Sequence, residues 1–482
     1  MQTQVIIRIL GILLMIFSLA MVPPIIVSFQ FGDGGGLAFF TAFVISLVLG
    51  LILFLPRKNV RGELRTRDGF LVVILFWGVL SFMGAVPLYL GDIPNFGVSD
   101  AVFESFSGLT TTGATVISGL DSLSHSILFY RQQLQWMGGM GIIVLAVAVL
   151  PMLGIGGMQL YRAETPGPVK DAKLTPRIAG TAKALWYIYF GLTVACALSY
   201  WFAGMTLFDA ISHSFSTIAI GGFSTHDKSI GWFNSTEIEL ICSAFMLIAG
   251  VNFSLHFIAV RRLSLSSYFN DTEFKVYLSI LIAVILIAVG ILVYHEYYDF
   301  SEAVVKAIFH TVSIGTTTGF ATDDFTLWPI FLPVLLLFVS FIGGCAGSTG
   351  GGMKVIRILL LFKQGTREIK RLIHPNAIFK IRISGTAVPE KIVESVWGFF
   401  ATYIVLFFIF MLILMADGHD QITAYSAVAA CMNNLGPGLG EVAANYSGLS
   451  DLSKWVLSLA MLFGRLEIFT LLVLFSPDFW RS

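Results

Sequence analysis

Four times along this chain a short apolar run leads to a glycine in the same register, and that repetition constrains the fold more than any other feature. Asp100-Ala101-Val102-Phe103-Glu104-Ser105-Phe106-Ser107 leads to Thr110-Thr111-Thr112-Gly113, and Asp209-Ala210-Ile211-Ser212-His213-Ser214-Phe215-Ser216 leads to Ile220-Gly221-Gly222. Lys306-Ala307-Ile308-Phe309-His310-Thr311-Val312-Ser313 leads to Thr317-Thr318-Gly319, and Thr423-Ala424-Tyr425-Ser426-Ala427-Val428-Ala429-Ala430 leads to Asn434-Leu435-Gly436. Alanine stands twelve residues before the glycine each time. Tight packing of small-residue helices would account for glycines, but it would not impose a shared order of helix, half-helix, glycine and helix.

Composition identifies the solvent of these repeats. Apolar residues make up 56% of the chain and charged residues 12%, with Phe alone contributing 43 residues. Mean hydropathy is +0.85. That excludes a water-soluble domain of this length and points to an all-α polytopic membrane protein. A formal net charge of +0 gives no basis for a nucleic-acid partner. The cysteines, Cys196, Cys242, Cys345 and Cys431, fall in apolar segments without CxxC spacing and read as small buried hydrophobes.

The chain opens with apolar runs Val5 to Phe29 and Leu37 to Leu55, two spanning helices without a counterpart of the repeated glycine and without a signal-peptide cleavage site. They form a first unit, 1–60, followed by four repeats at 61–160, 161–265, 266–375 and 376–482. Each repeat is read as a long helix (69–90, 182–204, 274–294, 392–415), a re-entrant half-helix, the glycine, and a second long helix (130–150, 236–260, 328–362, 452–476). The total is ten spans and four re-entrant half-helices. The connections 57–68, 161–183, 261–275 and 363–391 hold twenty Lys and Arg, and the opposite set holds three. By the positive-inside rule the basic set and both termini are cytoplasmic, and the four glycines open outward.

Irregular backbone at membrane depth is tolerated only where protein buries it or where it lines a wet path. Four such breaks at equivalent positions predict one central pore. Main-chain carbonyls and Thr hydroxyls around Thr111, Thr112, Gly113, Ile220, Gly221, Gly222, Thr317, Thr318, Gly319, Asn434, Leu435 and Gly436 would replace the hydration shell of a cation. Glycine supplies the positive φ this geometry needs, and the half-helices direct the negative ends of their dipoles beneath it. The expected ligand is a weakly hydrated monovalent cation.

The third repeat departs from a straight span. Trp328 to Phe362 would make a helix about 50 Å long against a core of about 30 Å. The break is placed at Gly343-Gly344-Cys345-Ala346-Gly347-Ser348-Thr349-Gly350-Gly351-Gly352, a flexible intramembrane loop below the filter. A phosphate-cradling loop is the rival reading, but Gly350-Gly351-Gly352-Met353-Lys354 lacks the Gly-Lys-Ser/Thr ending and no strand precedes it.

The four signatures, this glycine-rich insert and the run Gly464-Arg465-Leu466-Glu467 together resemble the Trk/Ktr/HKT superfamily of potassium transporters, end to end. The two extra N-terminal helices look like its TrkH branch rather than the shorter KtrB. The resemblance implies a potassium-translocating subunit of a bacterial inner membrane with one filter glycine per repeat and potassium as its substrate. It also implies a homodimer regulated by a cytosolic, nucleotide-binding, TrkA-like partner, with no cofactor in this chain, and the loop 343–352 as the gate. Repeats two and four depart from a strict Thr-Gly pattern, so weaker discrimination against sodium is expected.

Arg465 lies in the last apolar helix, after Gly464, which aligns with Gly139, Gly250 and Gly344. A charge there must face a wet pore or a partner. Below the filter it would repel a permeating cation and donate to loop carbonyls; an ion pair with Glu467 is the alternative, weakened because residues two apart point to different faces. Nine residues before each glycine stand Glu104, His213, His310 and Ala427, read as filter support from behind, with proton coupling through the histidines as the alternative. Arg131, Gln132, Gln135 and Trp136 are read the same way. The basic connections 161–183 and 363–391 would meet lipid headgroups or dock the soluble partner. A two-repeat secondary carrier fits a four-fold filter poorly, and an enzyme would need HExxH, GxSxG or paired intramembrane carboxylates, which do not occur.

Overall fold

The computed structural model describes residues 1–60, 62, 64–141, 178–466 and 468–481. Within them the one pair of strands, Arg382–Ile383 and Thr386–Ala387, is a small antiparallel hairpin in the basic 363–391 connection. Everything else regular is helix.

Six described helices are long and apolar enough to cross a membrane: Thr3–Phe31, Gly36–Arg57, Arg67–Leu90, Lys183–Phe202, Thr272–Tyr294 and Glu390–Ala416. Their outward faces stay apolar, with Phe40, Ile52, Leu286 and Leu412 exposed. A helix with apolar residues all round belongs in lipid or in a core; four of the six have under a third of their most apolar stretch buried, while Thr3–Phe31 and Arg67–Leu90 have 56% and 61%. The first two helices meet at backbone level. A Cβ on Gly11 would lie 2.8 Å from the Gly50 carbonyl oxygen, so the glycine pair is what lets the helices touch.

Four short helices, Val98–Leu109, Leu207–Ala219, Phe300–Gly315 and Gln421–Met432, are largely buried and sit among the long ones. Local chemistry starts three of them: Asp100 accepts from the Gly97 N–H, Thr206 caps Asp209, and Asp420 caps Ile422 and Thr423.

The second helices differ from the straight spans expected at 236–260 and 452–476. Thr236–Ala249 and Phe253–Arg262 meet at 96°, and Asp451–Arg465 and Ile468–Phe475 at 115°. The third is broken too: Phe331–Ile342 stops, and helix resumes at Val355–Ile373. His125–Gly139 begins the first, but residues 142–177, which include the far part of 130–150 and most of 161–183, lie outside the described residues. The cause of the 96° bend is visible. The Gly250 carbonyl accepts from Cys345 N–H, Phe253 N–H donates to the Gly347 carbonyl, and Asn252 caps Ser254 at the start of the new helix. Backbone from the third unit is thus inserted where the helix turns.

The glycines at the ends of these helices permit close approach. A Cβ on Gly138 would lie 1.8 Å from the Leu109 carbonyl oxygen, and one on Gly464 2.2 Å from that of Met432. Leu109 and Met432 each end a short helix, so the contact pairs Gly464 with Gly138 and not with Gly139 as the sequence register suggested. Gly138→Ala should cost about 1–3 kcal/mol through overpacking and lower the thermal midpoint of the purified protein in detergent. Gly290→Ala, where nothing lies within 4 Å of the added methyl, should leave the midpoint unchanged or raise it.

Candidate ion site

Each short helix ends in the same turn. The residue two before the glycine is left-handed in all four, at Thr111 (φ 57°), Ile220 (54°), Thr317 (71°) and Asn434 (53°), and so are Gly113 (81°), Gly222 (80°), Gly319 (84°) and Gly436 (99°). The intervening Thr112, Gly221, Thr318 and Leu435 donate their N–H groups back to Ser107, Ser216, Ser313 and Ala430 at 2.7–2.8 Å. This is the six-to-one bond of a Schellman ending. It consumes the donors of the turn and leaves its carbonyls for other partners.

Those carbonyls meet the neighbouring units. A Cβ on Gly113 would lie 2.1 Å from Gly221 O, one on Gly222 2.0 Å from Thr318 O, one on Gly319 2.1 Å from Leu435 O, and one on Gly436 2.8 Å from Thr112 O. The chain of contacts runs from the first unit to the fourth and closes on the first. All four glycines also line one cavity of about 570 Å³ with Asp227, Asp323, Asp324 and His226 around it. Burial works against a charge on His226, but the neighbouring carboxylates of Asp209 and Asp121 outweigh it and hold its pKa above the ordinary value. The ring supplies neutral oxygens, which suits a monovalent cation that sheds water readily.

The residues nine before the glycines reach the extended chain that follows them. Glu104 accepts from Val116 N–H at 3.0 Å and from Thr115 Oγ1 at 3.0 Å, and it pairs with Arg131 Nε at 2.7 Å. His213 Nε2 is 2.8 Å from Ser224 Oγ, and His310 Nε2 is 3.3 Å from Thr322 Oγ1. Ala427 has no polar group, and its neighbour Ser426 bonds both the N–H and the carbonyl of Leu439 instead. Arg131 also donates to the Ser224 carbonyl, Gln132 to that of Phe223, and Gln135 Nε2 to that of Gly221 at 2.6 Å, so helix His125–Gly139 holds the second unit's glycine turn directly. Trp136 turns away and donates to Thr193 Oγ1. Sequence reasoning missed the partners Thr115, Ser224 and Thr322, although polar residues two or three after each of the first three glycines were readable. It also missed Tyr446, whose hydroxyl donates to the Gly436 carbonyl at 2.7 Å.

Below the ring lies the loop. Gly351 N–H donates to Thr317 Oγ1 at 2.7 Å, Gly352 N–H to the Asn433 carbonyl at 2.9 Å, and Thr349 Oγ1 to the Ile218 carbonyl at 2.9 Å. Gly343 and Gly347 have positive φ, Ser348 Oγ donates to the Cys345 carbonyl, and Lys354 Nζ donates to that of Gly350. Gly344 packs on the Gly250 backbone, and Ala346 N–H is bonded by Glu273. Arg465 enters from the fourth unit. Its guanidinium donates to Thr111 Oγ1 (3.1 Å), the Thr349 carbonyl (3.2 Å) and the Gly138 carbonyl (2.7 Å), joining the first unit's turn, the loop and helix His125–Gly139. Glu467, its sequence-level alternative partner, lies outside the described residues.

The buried Glu104–Arg131 pair supplies a test. Arg131→Gln leaves a carboxylate buried without its cation and should cost about 3–5 kcal/mol, read as a fall in thermal midpoint. The double variant with Glu104→Gln should recover most of that loss.

The family described as "TrkH: Cation transport protein" matches residues 35–482. The "Trk system potassium uptake protein TrkH" of Vibrio parahaemolyticus is 59% identical over 100% of both chains, and that of Escherichia coli (strain K12) is 56% identical over 100% of both. "Trk system potassium uptake protein TrkG" of Escherichia coli (strain K12) is 43% identical over 100% of this chain and 99% of its own. The crystal structure of the potassium transporter TrkH from Vibrio parahaemolyticus superposes with a TM-score of 0.91, covering 100% of both chains at 56% identity. These relatives are named as transporters and not as enzymes. On this evidence the chain belongs to the TrkH family of cation transport proteins.

Proposed function

We propose that this chain carries potassium ions into the cell through a gated, cation-selective pore. The observation that carries the reading is the closed ring in which Gly113, Gly222, Gly319 and Gly436 each press on a carbonyl of the next unit. Relatives named for potassium uptake support the choice of ion. Filter residues 111–113, 220–222, 317–319 and 434–436 would coordinate dehydrated potassium, and the asymmetry of Ile220 and Asn434 against Thr111 and Thr317 would weaken exclusion of sodium.

The reading places ten spans and four half-helices around one pore in a bacterial inner membrane. The basic connections 57–68, 261–275 and 363–391 and both termini would face the cytoplasm, where Lys and Arg are retained. The 343–352 loop and Arg465 would form the gate, since loop N–H groups bond the underside of the filter and the guanidinium bonds both. A cytosolic nucleotide-binding subunit would move that gate, and two copies of the chain would assemble as a homodimer.

The test is rubidium flux into proteoliposomes holding the purified protein. A passive, voltage-driven flux supports a gated pore, whereas saturable uptake tied to a proton or sodium gradient would replace it by a coupled carrier. Arg465→Ala carries the gate. At an effective dielectric of about 20, a like charge about 6 Å from an ion's path costs roughly 3 kcal/mol, so its removal should raise basal flux at least tenfold. Flux unchanged or lower in protein with a normal melting profile would remove Arg465 from the barrier.

A further inference from the structure

The loop 343–352 is held on the side of the ring by the Thr317 hydroxyl, the Asn433 and Ile218 carbonyls and the Arg465 guanidinium. Its other end is held by the backbone of Gly250 and Phe253 and by a carboxylate from a further helix. Glu273, in the first turn of Thr272–Tyr294, is 8% exposed, and its Oε1 accepts from Ala346 N–H at 2.7 Å and from Ile356 N–H at 3.1 Å. One oxygen therefore clasps the loop near its start and the chain just beyond its finish.

The second of these bonds does the work of a helix cap. Val355–Ile373 has Lys354 at its N-cap, in a left-handed conformation with no side-chain cap bond, and no acidic residue in its first turn. The first N–H groups of a helix have no intrahelical acceptor, and the positive end of the helix dipole favours a carboxylate. Glu273 supplies both from 83 residues away in sequence. The neck of the loop closes beside it, with Met353 N–H on the Phe341 carbonyl and Val355 N–H on that of Gly344. These neck bonds lie within the insert and its flanks, so they can travel with the loop. The bonds to Glu273 cannot.

We propose that Glu273 is the latch of the intramembrane loop: a positioning residue that ties both ends of the loop to helix Thr272–Tyr294, so that the loop leaves the pore only by breaking its bonds to Ala346 and Ile356. This rests on the loop being the gate. It gives the basic connection 261–275, which leads into Glu273, a mechanical route to the gate, because a pull on that connection acts on the latch before it reaches the filter.

The geometry also supplies a matched variant on the loop side. Ala346 is the second residue of the turn closed by Ser348 N–H on the Cys345 carbonyl, with Gly347 at φ 75° in third place. That is a type II pattern, which accepts proline at its second position. Ala346→Pro therefore deletes the N–H that Glu273 binds and keeps the turn.

The experiment records single channels of the full chain in planar bilayers without any cytosolic partner, comparing wild type, Glu273→Gln, Ala346→Pro, their double variant and Arg465→Ala. Loss of a charge-assisted bond in exchange for a neutral one should raise open probability about tenfold in Glu273→Gln. Unitary conductance and the rubidium-to-sodium permeability ratio should stay at wild-type values. Ala346→Pro should open the pore in the same direction, and the double variant should add less than the sum of the two. If Arg465→Ala opens the pore while Glu273→Gln and Ala346→Pro do not, the latch is wrong and the gate stands. If none of the three opens it, the gate reading itself fails and takes the latch with it. A changed conductance or permeability ratio in Glu273→Gln would show a filter scaffold in place of a latch, as would full additivity in the double variant.

Discussion

Everything in this molecule depends on the contact between each filter glycine and a carbonyl of the next unit. At Gly113, Gly222 and Gly319 a Cβ would lie 2.0–2.1 Å from that oxygen, so no side chain fits, and positive φ at all four glycines would strain one in any case. The left-handed turns at Thr111, Ile220, Thr317 and Asn434 are costly for residues with a Cβ, roughly 1–2 kcal/mol each. Such strain persists only where surroundings over-determine it. Here they do: a Schellman bond closes each turn from below, and the neighbouring unit blocks it from the side. No quarter of the chain holds its filter alone, because each glycine needs the carbonyl of another quarter to pack against.

The same logic bears on the polar shell behind the ring. Buried donors and acceptors need partners, and most here have protein ones, although Gln132 Oε1 and Asn434 Oδ1 have none among the described residues. Glu104, Arg131, Gln132 and Gln135 form one buried network that reaches Thr115, Val116, Phe223, Ser224 and the Gly221 carbonyl. Asn434 in the fourth unit replaces a threonine and still contributes, donating from Nδ2 to Thr112 Oγ1 at 2.9 Å across the ring. Asparagine tolerates the left-handed region better than most residues, so one side chain meets both the backbone and the hydrogen-bonding demand.

Much of this was legible in the residues, and the rest was hidden for identifiable reasons. The break at 343–352 could be read because a helix from Trp328 to Phe362 is too long for a bilayer and the glycines mark the place. The bend at Gly250 could not be read from hydropathy, which stays high across it. Its local signal was there, in Asn252 standing before Phe253-Ser254 as a cap. Support by Glu104, His213 and His310 was expected from register alone, yet their partners Thr115, Ser224 and Thr322 depend on how the chain returns after the glycine. Glu273 gave no signal at all, since an acidic residue opening a long helix reads as an ordinary N-terminal carboxylate until Ala346 and Ile356 are brought against it.

A ring made from one chain can be asymmetric where an assembly of four identical subunits cannot, and this one uses that freedom at the level of charge. Four copies of an arginine below the filter would place four guanidinium groups around one axis, a repulsion among themselves and toward any cation that no modest rearrangement would relieve. A single Arg465 reaches Thr111, Thr349 and Gly138 at once, one charge where a symmetric assembly would carry four. The loop is likewise confined to the third unit, and it meets the other units unequally: its N–H groups bond Thr317 and Asn433, Thr349 Oγ1 bonds the Ile218 carbonyl, and Arg465 links the Thr349 carbonyl to Thr111. On the proposed function, fourfold likeness in the ring would make the ion site, and the departures from it below the ring would make that site controllable.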